Sequence, residues 1–267
     1  MKKAGIHPMA VVHPSARISD GVEIGPYSII GEHVSIGKGT VIGAQVVIEG
    51  YCSIGQDNTI FTGAVIGSPP QDLKFKGEKT SVEIGKRNTI REFVTINLGT
   101  AGGGGKTFVG DDNLLMAYCH VAHDCILGNN IIMGNGATLG GHVRLEDRVI
   151  VSGLTGVHHY VSVGCMTLLG GCSKVVVDIP PYCIADGHPA EVCGLNLIGL
   201  KRNNIPMERR NCLKRAHKLL SDSGLNHSQA LEKMQKEISQ TPEVKHFMEF
   251  IRKTGQGNMR RALQPKR

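Results

Sequence analysis

The feature that most constrains this chain is a period of six. Aliphatic residues stand at Ile6, Val12, Ile18, Ile24, Ile30, Ile36, Ile42, Ile48, Ile54, Ile60 and Ile66 without a miss. The period resumes at Ile84, Ile90 and Ile96, slips by one residue, and runs from Val109 through Leu115, Val121, Leu127, Met133, Leu139, Leu145, Val151, Val157, Val163 and Leu169 to Val175. Of these 26 hexads, 13 carry Gly directly after the aliphatic residue. Six matches neither the 3.6-residue turn of an α-helix nor a long alternation of two. It suits a coil that turns a corner every six residues, with one aliphatic residue per side pointing to the axis and glycine supplying permissive corners. The position four after each aliphatic residue is also small or medium-sized, as at Ala10, Ala16, Ser28, Thr40, Cys52, Ala64, Cys119, Cys125, Ala137, Thr155, Thr167 and Ser173. We read it as a second inward position.

Composition agrees with an extended repeat rather than a helical bundle: 267 residues contain 35 Gly, 4% aromatics and no Trp. The eight cysteines form no CxxC pair and are scattered irregularly, which argues for a reduced compartment and against a disulfide framework. Cys52, Cys119 and Cys125 fall on the second inward position and behave there as small buried hydrophobes. The opening "MKKAGIHPMAVVHPSA" has no continuous apolar stretch, and no run of about 18 apolar residues occurs anywhere, so a cytoplasmic protein without a transmembrane segment is expected. Charge is uneven. Residues 188–267 hold 16 Lys+Arg against 7 Asp+Glu, a net of +9, which leaves 14 against 16 for residues 1–187. An acidic partner for the C-terminal part follows.

Two stretches interrupt the repeat, residues 68–81 ("SPPQDLKFKGEKTS") and 99–106 ("GTAGGGGK"). Insertions in such arrays gather on a binding face. Regularity ends after "VVVDIPPY" at 175–182, where two prolines stop the ladder. We therefore expect a repeat domain over 1–187 and an α-helical domain over 188–267, with helices in "NLIGLKRN", "IPMERRNCLKRAHKLLS", "HSQALEKMQKEIS" and "TPEVKHFMEFIRKT". Ser228 and Thr241 are expected N-caps, Pro206 and Pro242 fit first turns, and the tail 255–267 is expected to fray.

The stretch "HVAHDC" at 120–125 takes its meaning from this frame. Val121 points inward, so His120 and His123 flank it and face out. The hexads resemble those of the hexapeptide-repeat acyltransferases, in which three hexads complete a coil of 18 residues; that resemblance implies that His123 stacks under Gly141 and His159, and Asp124 under His142 and Tyr160, with His158 in the next column. Five histidines thus gather on one edge of an aliphatic prism. Each alone reads as a solvated surface residue; together they suit acid–base chemistry. An imidazole, with an ordinary pKa of about 6.5, accepts a proton at neutral pH, and a neighbouring carboxylate fixes its tautomer. A glycine one coil away offers an unobstructed backbone N–H to an oxyanion.

The resemblance to the hexapeptide-repeat acyltransferases also implies a left-handed parallel β-helix of triangular section. The resemblance sharpens at Gln71-Asp72-Leu73-Lys74-Phe75, "VGDDNLLM" at 109–116, "HVAHDC" at 120–125, "GGCS" at 170–173, "PPY" at 180–182, "GLNLIGLKR" at 194–202 and "PEVKHF" at 242–247. Together these resemble the UDP-N-acetylglucosamine acyltransferase family of lipid A biosynthesis over nearly the whole chain. The resemblance implies transfer of an acyl group, usually 3-hydroxyacyl, from acyl carrier protein to the glucosamine 3-position of UDP-GlcNAc. It also implies a homotrimer with sites between subunits, no cofactor and no resident metal. His123 then matches the general base, Asp124 its orienting partner and Gly141 the oxyanion donor. Gln71, Asp72, Lys74, His120, His142, His158 and His159 match substrate-binding positions, and Asn196 and Arg202 match nucleotide contacts. Gly171 occupies the position that limits acyl length, and its missing side chain implies room for a longer chain. The basic residues Arg209, Arg210, Lys214, Arg215 and Lys218 read as a docking face for an acidic carrier protein, with no role for nucleic acid.

The chain departs from the family pattern at His159, where glutamine is frequent, at Ile198, where glutamate often stands, and at Asn97. A 3-amino acceptor sugar therefore stays open beside the 3-hydroxyl. Two rival functions remain at this point: a zinc-dependent hydratase of the gamma carbonic anhydrase type, which would use three histidines from two neighbouring subunits around the metal, and a non-catalytic scaffold.

Overall fold

A computed structural model describes residues 5–221 and 224–255. Short parallel strands, three to a coil, stack into sheets of eleven, nine and eight strands. Register advances by one coil at a time: Val121 lies beside Leu139, and Leu139 beside Val157, a step of 18 residues. The result is a left-handed parallel β-helix. The inward aliphatic column is buried from Ile24 to Val175, and so is the second inward position, including Ser28, Thr40, Cys52, Cys119, Cys125 and Thr155. The first coil is open at the end of the prism, where Ile6 remains exposed. All eight cysteines are free thiols.

Glycine works differently from the expectation that it supplies corners. The glycine following the aliphatic residue is needed because successive coils touch there: a Cβ on Gly25 would lie 2.6 Å from the carbonyl of Gly43, and one on Gly37 2.5 Å from Gly55. The left-handed turn falls two residues later and is mostly carried by other residue types, among them Asp57, Asp112, Asp124, Asn130, His142 and Tyr160. Asp and Asn accept this conformation because their short polar side chains bond locally. Asp124 sits there at φ 60°.

The eleven-stranded sheet ends in an antiparallel hairpin, Cys183–Gly187 with Ala190–Leu195, so a strand continues past residue 187. Four helices follow: α1 (Leu197–Arg202), α2 (Met207–Ser221), α3 (His227–Glu237) and α4 (Pro242–Gly255). Leu213, Ala230, Met234, Val244, Phe247 and Ile251 form their buried contacts. The cap of α3 is Asn226, whose side chain and that of Gln229 satisfy each other's backbone N–H groups, and not Ser228, which lies inside the first turn. Thr241 does cap α4, accepting the Val244 N–H at 3.3 Å. The tail from residue 256 onward, expected to fray, lies outside the described residues.

Topology places both insertions on the histidine edge. Strands Val65–Ser68, Thr95–Asn97, His120–Val121, Thr138–Leu139 and Gly156–Val157 are successive neighbours in the nine-stranded sheet. The first two run into the insertions. The corners after the next three carry His123–Asp124, Gly141–His142 and His158–Tyr160.

Candidate active site

His123 is 8% exposed, and its ring lies against Gly141 of the next coil rather than in the aliphatic interior. A Cβ at Gly141 would come within 2.5 Å of His123 Nε2, so only glycine lets the imidazole occupy this place. His123 Nδ1 lies 2.8 Å from Asp124 Oδ2. Because an ionised carboxylate only accepts, Nδ1 carries the proton and Nε2 presents a lone pair.

Asp124 is fully engaged. Its Oδ1 accepts the Thr100 N–H at 2.9 Å and its Oδ2 the Thr100 hydroxyl at 2.6 Å, while its own N–H donates to Thr107 Oγ1 at 2.8 Å. Gly103 packs so closely on the carboxylate that a Cβ there would collide with it. The second insertion is thus a cover for the carboxylate. Sequence reasoning missed Thr100, Gly103 and Thr107; the glycine run "GTAGGGGK" was the only signal, since a loop must be nearly bare to approach a side chain so closely.

The other histidines surround this pair. His142 stacks on Tyr160 at 4.3 Å, meets the His123 ring edge-on at 5.1 Å, and holds Nε2 3.8 Å from Asp124 Oδ2. His120 Nδ1 is bonded to Thr95 Oγ1 at 2.7 Å, and burial, followed by the nearby His123, pushes its pKa down. His158 and His159 meet edge-on at 5.3 Å. The Gly141 N–H donates to His159 Nδ1 at 2.8 Å, so the amide matched to the oxyanion already has an acceptor.

A cleft of about 1100 Å³ opens beside Gly103, Asp124 and His142 and extends along the third sheet to His246 and Lys253 of α4. Gln71, Asp72 and Lys74 do not line it; they lie on the first insertion, where Asp72 Oδ1 accepts the Lys74 N–H at 2.9 Å and Leu73 is wholly exposed. Gly171 is on a different edge, between the first and second sheets, near Gly153. Asn196 also has a role within the chain: its Oδ1 accepts the Gly199 N–H to cap α1, and its Nδ2 donates to the Met166 carbonyl. Arg202 is exposed. Among the basic residues of α2, Arg209 forms a fork-shaped ion pair with Glu243 of α4, and Arg215 donates to the Glu237 carbonyl at 2.8 Å. Lys214 and Lys218 are exposed, and Arg210 is half-buried.

Residues 178–259 match the family described as Udp N-acetylglucosamine O-acyltransferase, domain 2, and residues 106–141 match the bacterial transferase hexapeptide repeats. A relative from Thermodesulfovibrio yellowstonii, named acyl-[acyl-carrier-protein]--UDP-N-acetylglucosamine O-acyltransferase, is 47% identical over 94% of this chain and 98% of its own length. The chain belongs to the UDP-N-acetylglucosamine O-acyltransferase family. A relative of the same name from Verminephrobacter eiseniae is 49% identical over 86% of this chain and 88% of its own. The solved UDP-N-acetylglucosamine acyltransferase of Bacteroides fragilis superposes with a TM-score of 0.92 at 42% identity, covering 97% of this chain and 99% of its own. Membership of the O-acyltransferase family makes this chain an acyltransferase and removes the zinc hydratase reading.

Proposed function

We propose that this chain transfers a 3-hydroxyacyl group from acyl carrier protein to the 3-hydroxyl of the glucosamine ring of UDP-N-acetylglucosamine, the opening step of lipid A biosynthesis, in the cytoplasm. The observation that carries the chemistry is the His123–Asp124 pair, with its Nδ1–H held by a buried carboxylate and its ring pressed against Gly141. His123 Nε2 takes the proton of the sugar hydroxyl as its oxygen attacks the thioester carbonyl. The negative charge that develops on the carbonyl oxygen is stabilised by the Gly141 N–H, which exchanges His159 Nδ1 for the oxyanion. The C–S bond then breaks, and the imidazolium returns its proton to the departing thiolate. Asp124 steadies the imidazolium without taking its proton.

The substrate spans two copies of the chain in this reading. Phe93, Tyr118 and Leu154 form an exposed apolar column on the edge between the first and second sheets, the same edge that carries Gly171. A patch of this kind on an otherwise regular surface suits contact with another copy in a homotrimer. Packing the histidine edge of one copy against its neighbour brings Gly171 of that neighbour toward the acyl chain. Gln71, Asp72 and Lys74 of the first insertion, with His120, His142 and His158, then hold the sugar and diphosphate, and Arg202 suits the diphosphate through its planar fork. Exposed Lys214 and Lys218 of α2, with Arg210, attract the acidic carrier protein. No helix is long and apolar enough to cross a membrane among the described residues.

The test is product mass after incubation with UDP-N-acetylglucosamine and carrier-protein thioesters of graded length. A single acyl addition, lost in His123→Ala, supports the reading. Equal turnover by His123→Ala, or product only with a 3-amino sugar nucleotide, overturns the assigned base or acceptor respectively.

A further inference from the structure

We propose that Glu146, Cys165 and His246 form a zinc-binding site that fastens α4 to the β-helix. None of the three takes part in the acyl transfer described above. Glu146 and Cys165 follow inward residues Leu145 and Val163 in adjacent coils, on the edge between the third and first sheets, and His246 comes from α4, 100 residues further along the chain than Glu146. One donor atom from each lies within 4.8 Å of the other two. His246 Nε2 is 2.7 Å from Glu146 Oε2, and the same oxygen accepts the Cys165 N–H at 2.8 Å. Unlike Cys119 and Cys125, which point into the prism as small core residues, Cys165 faces the cleft that runs from the candidate active site to α4.

A thiolate, an imidazole and a carboxylate are the donors that Zn²⁺ prefers, and three such ligands leave one tetrahedral position open. The cleft supplies that position and a route in, since the side chains of His246 and Glu146 are 36% and 37% exposed. Binding replaces the Nε2–H···Oε2 bond: the proton on His246 Nε2 and that on Cys165 Sγ leave to solvent, and sulfur, nitrogen and carboxylate oxygen take the ion between them. One divalent ion then neutralises the two negative ligands. Tyr182 completes the surroundings, with its ring edge-on to His246 at 5.9 Å and its N–H bonded to the Cys165 carbonyl at 2.7 Å. Such outer contacts orient metal ligands. Because two ligands belong to the prism and one to α4, the ion stabilises the docked helix over any arrangement in which α4 has swung away.

Zinc titration of the chelator-treated full chain by calorimetry, with metal content measured after dialysis, tests the proposal. One zinc per chain is expected, with binding roughly 100-fold weaker or absent in Cys165→Ser and His246→Gln. The melting temperature should rise with zinc in the parent chain and stay put in Cys165→Ser. Cobalt substitution should give the near-ultraviolet thiolate-to-metal band in the parent chain, which reads sulfur ligation without any variant having to fold. Absence of stoichiometric zinc, or of the thiolate band, overturns the site. So does zinc retained by both variants, or zinc lost instead in His123→Ala, which assigns the ion to the His123–Asp124–His142 group.

Discussion

Asn58, Asn88 and Asn113 stack in adjacent coils on the edge between the third and first sheets, just as His123, Gly141 and His159 stack on the edge between the second and third. The asparagine ladder closes on itself. Asn58 Oδ1 accepts the Asn88 N–H, Asn88 Oδ1 the Asn113 N–H and Asn113 Oδ1 the Ile131 N–H, while the side-chain amides donate to carbonyls of Gly55, Gly85, Gly110 and Gly128. Every one of these groups is satisfied inside the chain, which makes the ladder a structural device. On the other edge the bonding stops short: His123 spends Nδ1 on Asp124, and among the described residues no hydrogen bond reaches Nε2. One scaffold therefore builds a strut where it finishes its polar contacts, and a reactive group where it leaves one acceptor facing outward.

The comparison breaks most sharply at His123. His123→Ala should lower kcat about 1000-fold with little change in melting temperature, measured by product formation and calorimetry on the same samples. Asn88→Ala should do the reverse. It orphans the buried Asn113 N–H and the Gly110 carbonyl at roughly 1–3 kcal/mol each, so denaturant unfolding should show a loss of about 3 kcal/mol while kcat of the folded fraction is kept. Gly141→Ala puts a methyl group where the His123 ring lies, and a fall of about 100-fold in kcat is expected from the displaced imidazole. Thr100→Val removes the hydroxyl that holds Asp124 Oδ2, and about tenfold in kcat should go with it, KM changing less. The smallest effect is a titration. Burial keeps the pKa of His120 below 6.5, so the unfolded chain takes up this proton first. Stability from this residue is unaffected above pH 6.5 and falls as pH drops from 6.5 toward the folded pKa; an NMR midpoint for His120 at or above 6.5 would contradict this.

Much of this was legible before any coordinates. The six-residue spacing predicts a coil that turns every six residues, and the resemblance to the hexapeptide repeats, which implies 18 residues to a coil, predicts the vertical neighbours of His123 and Asp124, because parallel register in such a coil follows directly from chain spacing. Position along the chain says less about what a side chain is doing. Asn196 caps α1 without its spacing having announced it, and Ser228 reads as a cap yet yields to Asn226, because the choice between neighbouring polar residues is made by backbone angles at the helix start. The frequent glycines were visible, but their cause, contact between coils, was not.

By itself the sequence determined the coil, its inward columns and the edge on which the histidines gather, all consequences of a local repeat whose hydrogen bonds tie each residue to one 18 positions away. Only the tertiary structure decided that a bare glycine loop folds over Asp124, that Gly141 gives its N–H to His159, and that α4 delivers His246 to Glu146 and Cys165. The first and last of these bring in segments outside the repeat, where no period sets the register, and the second depends on how the His159 ring is turned, which the backbone period does not fix.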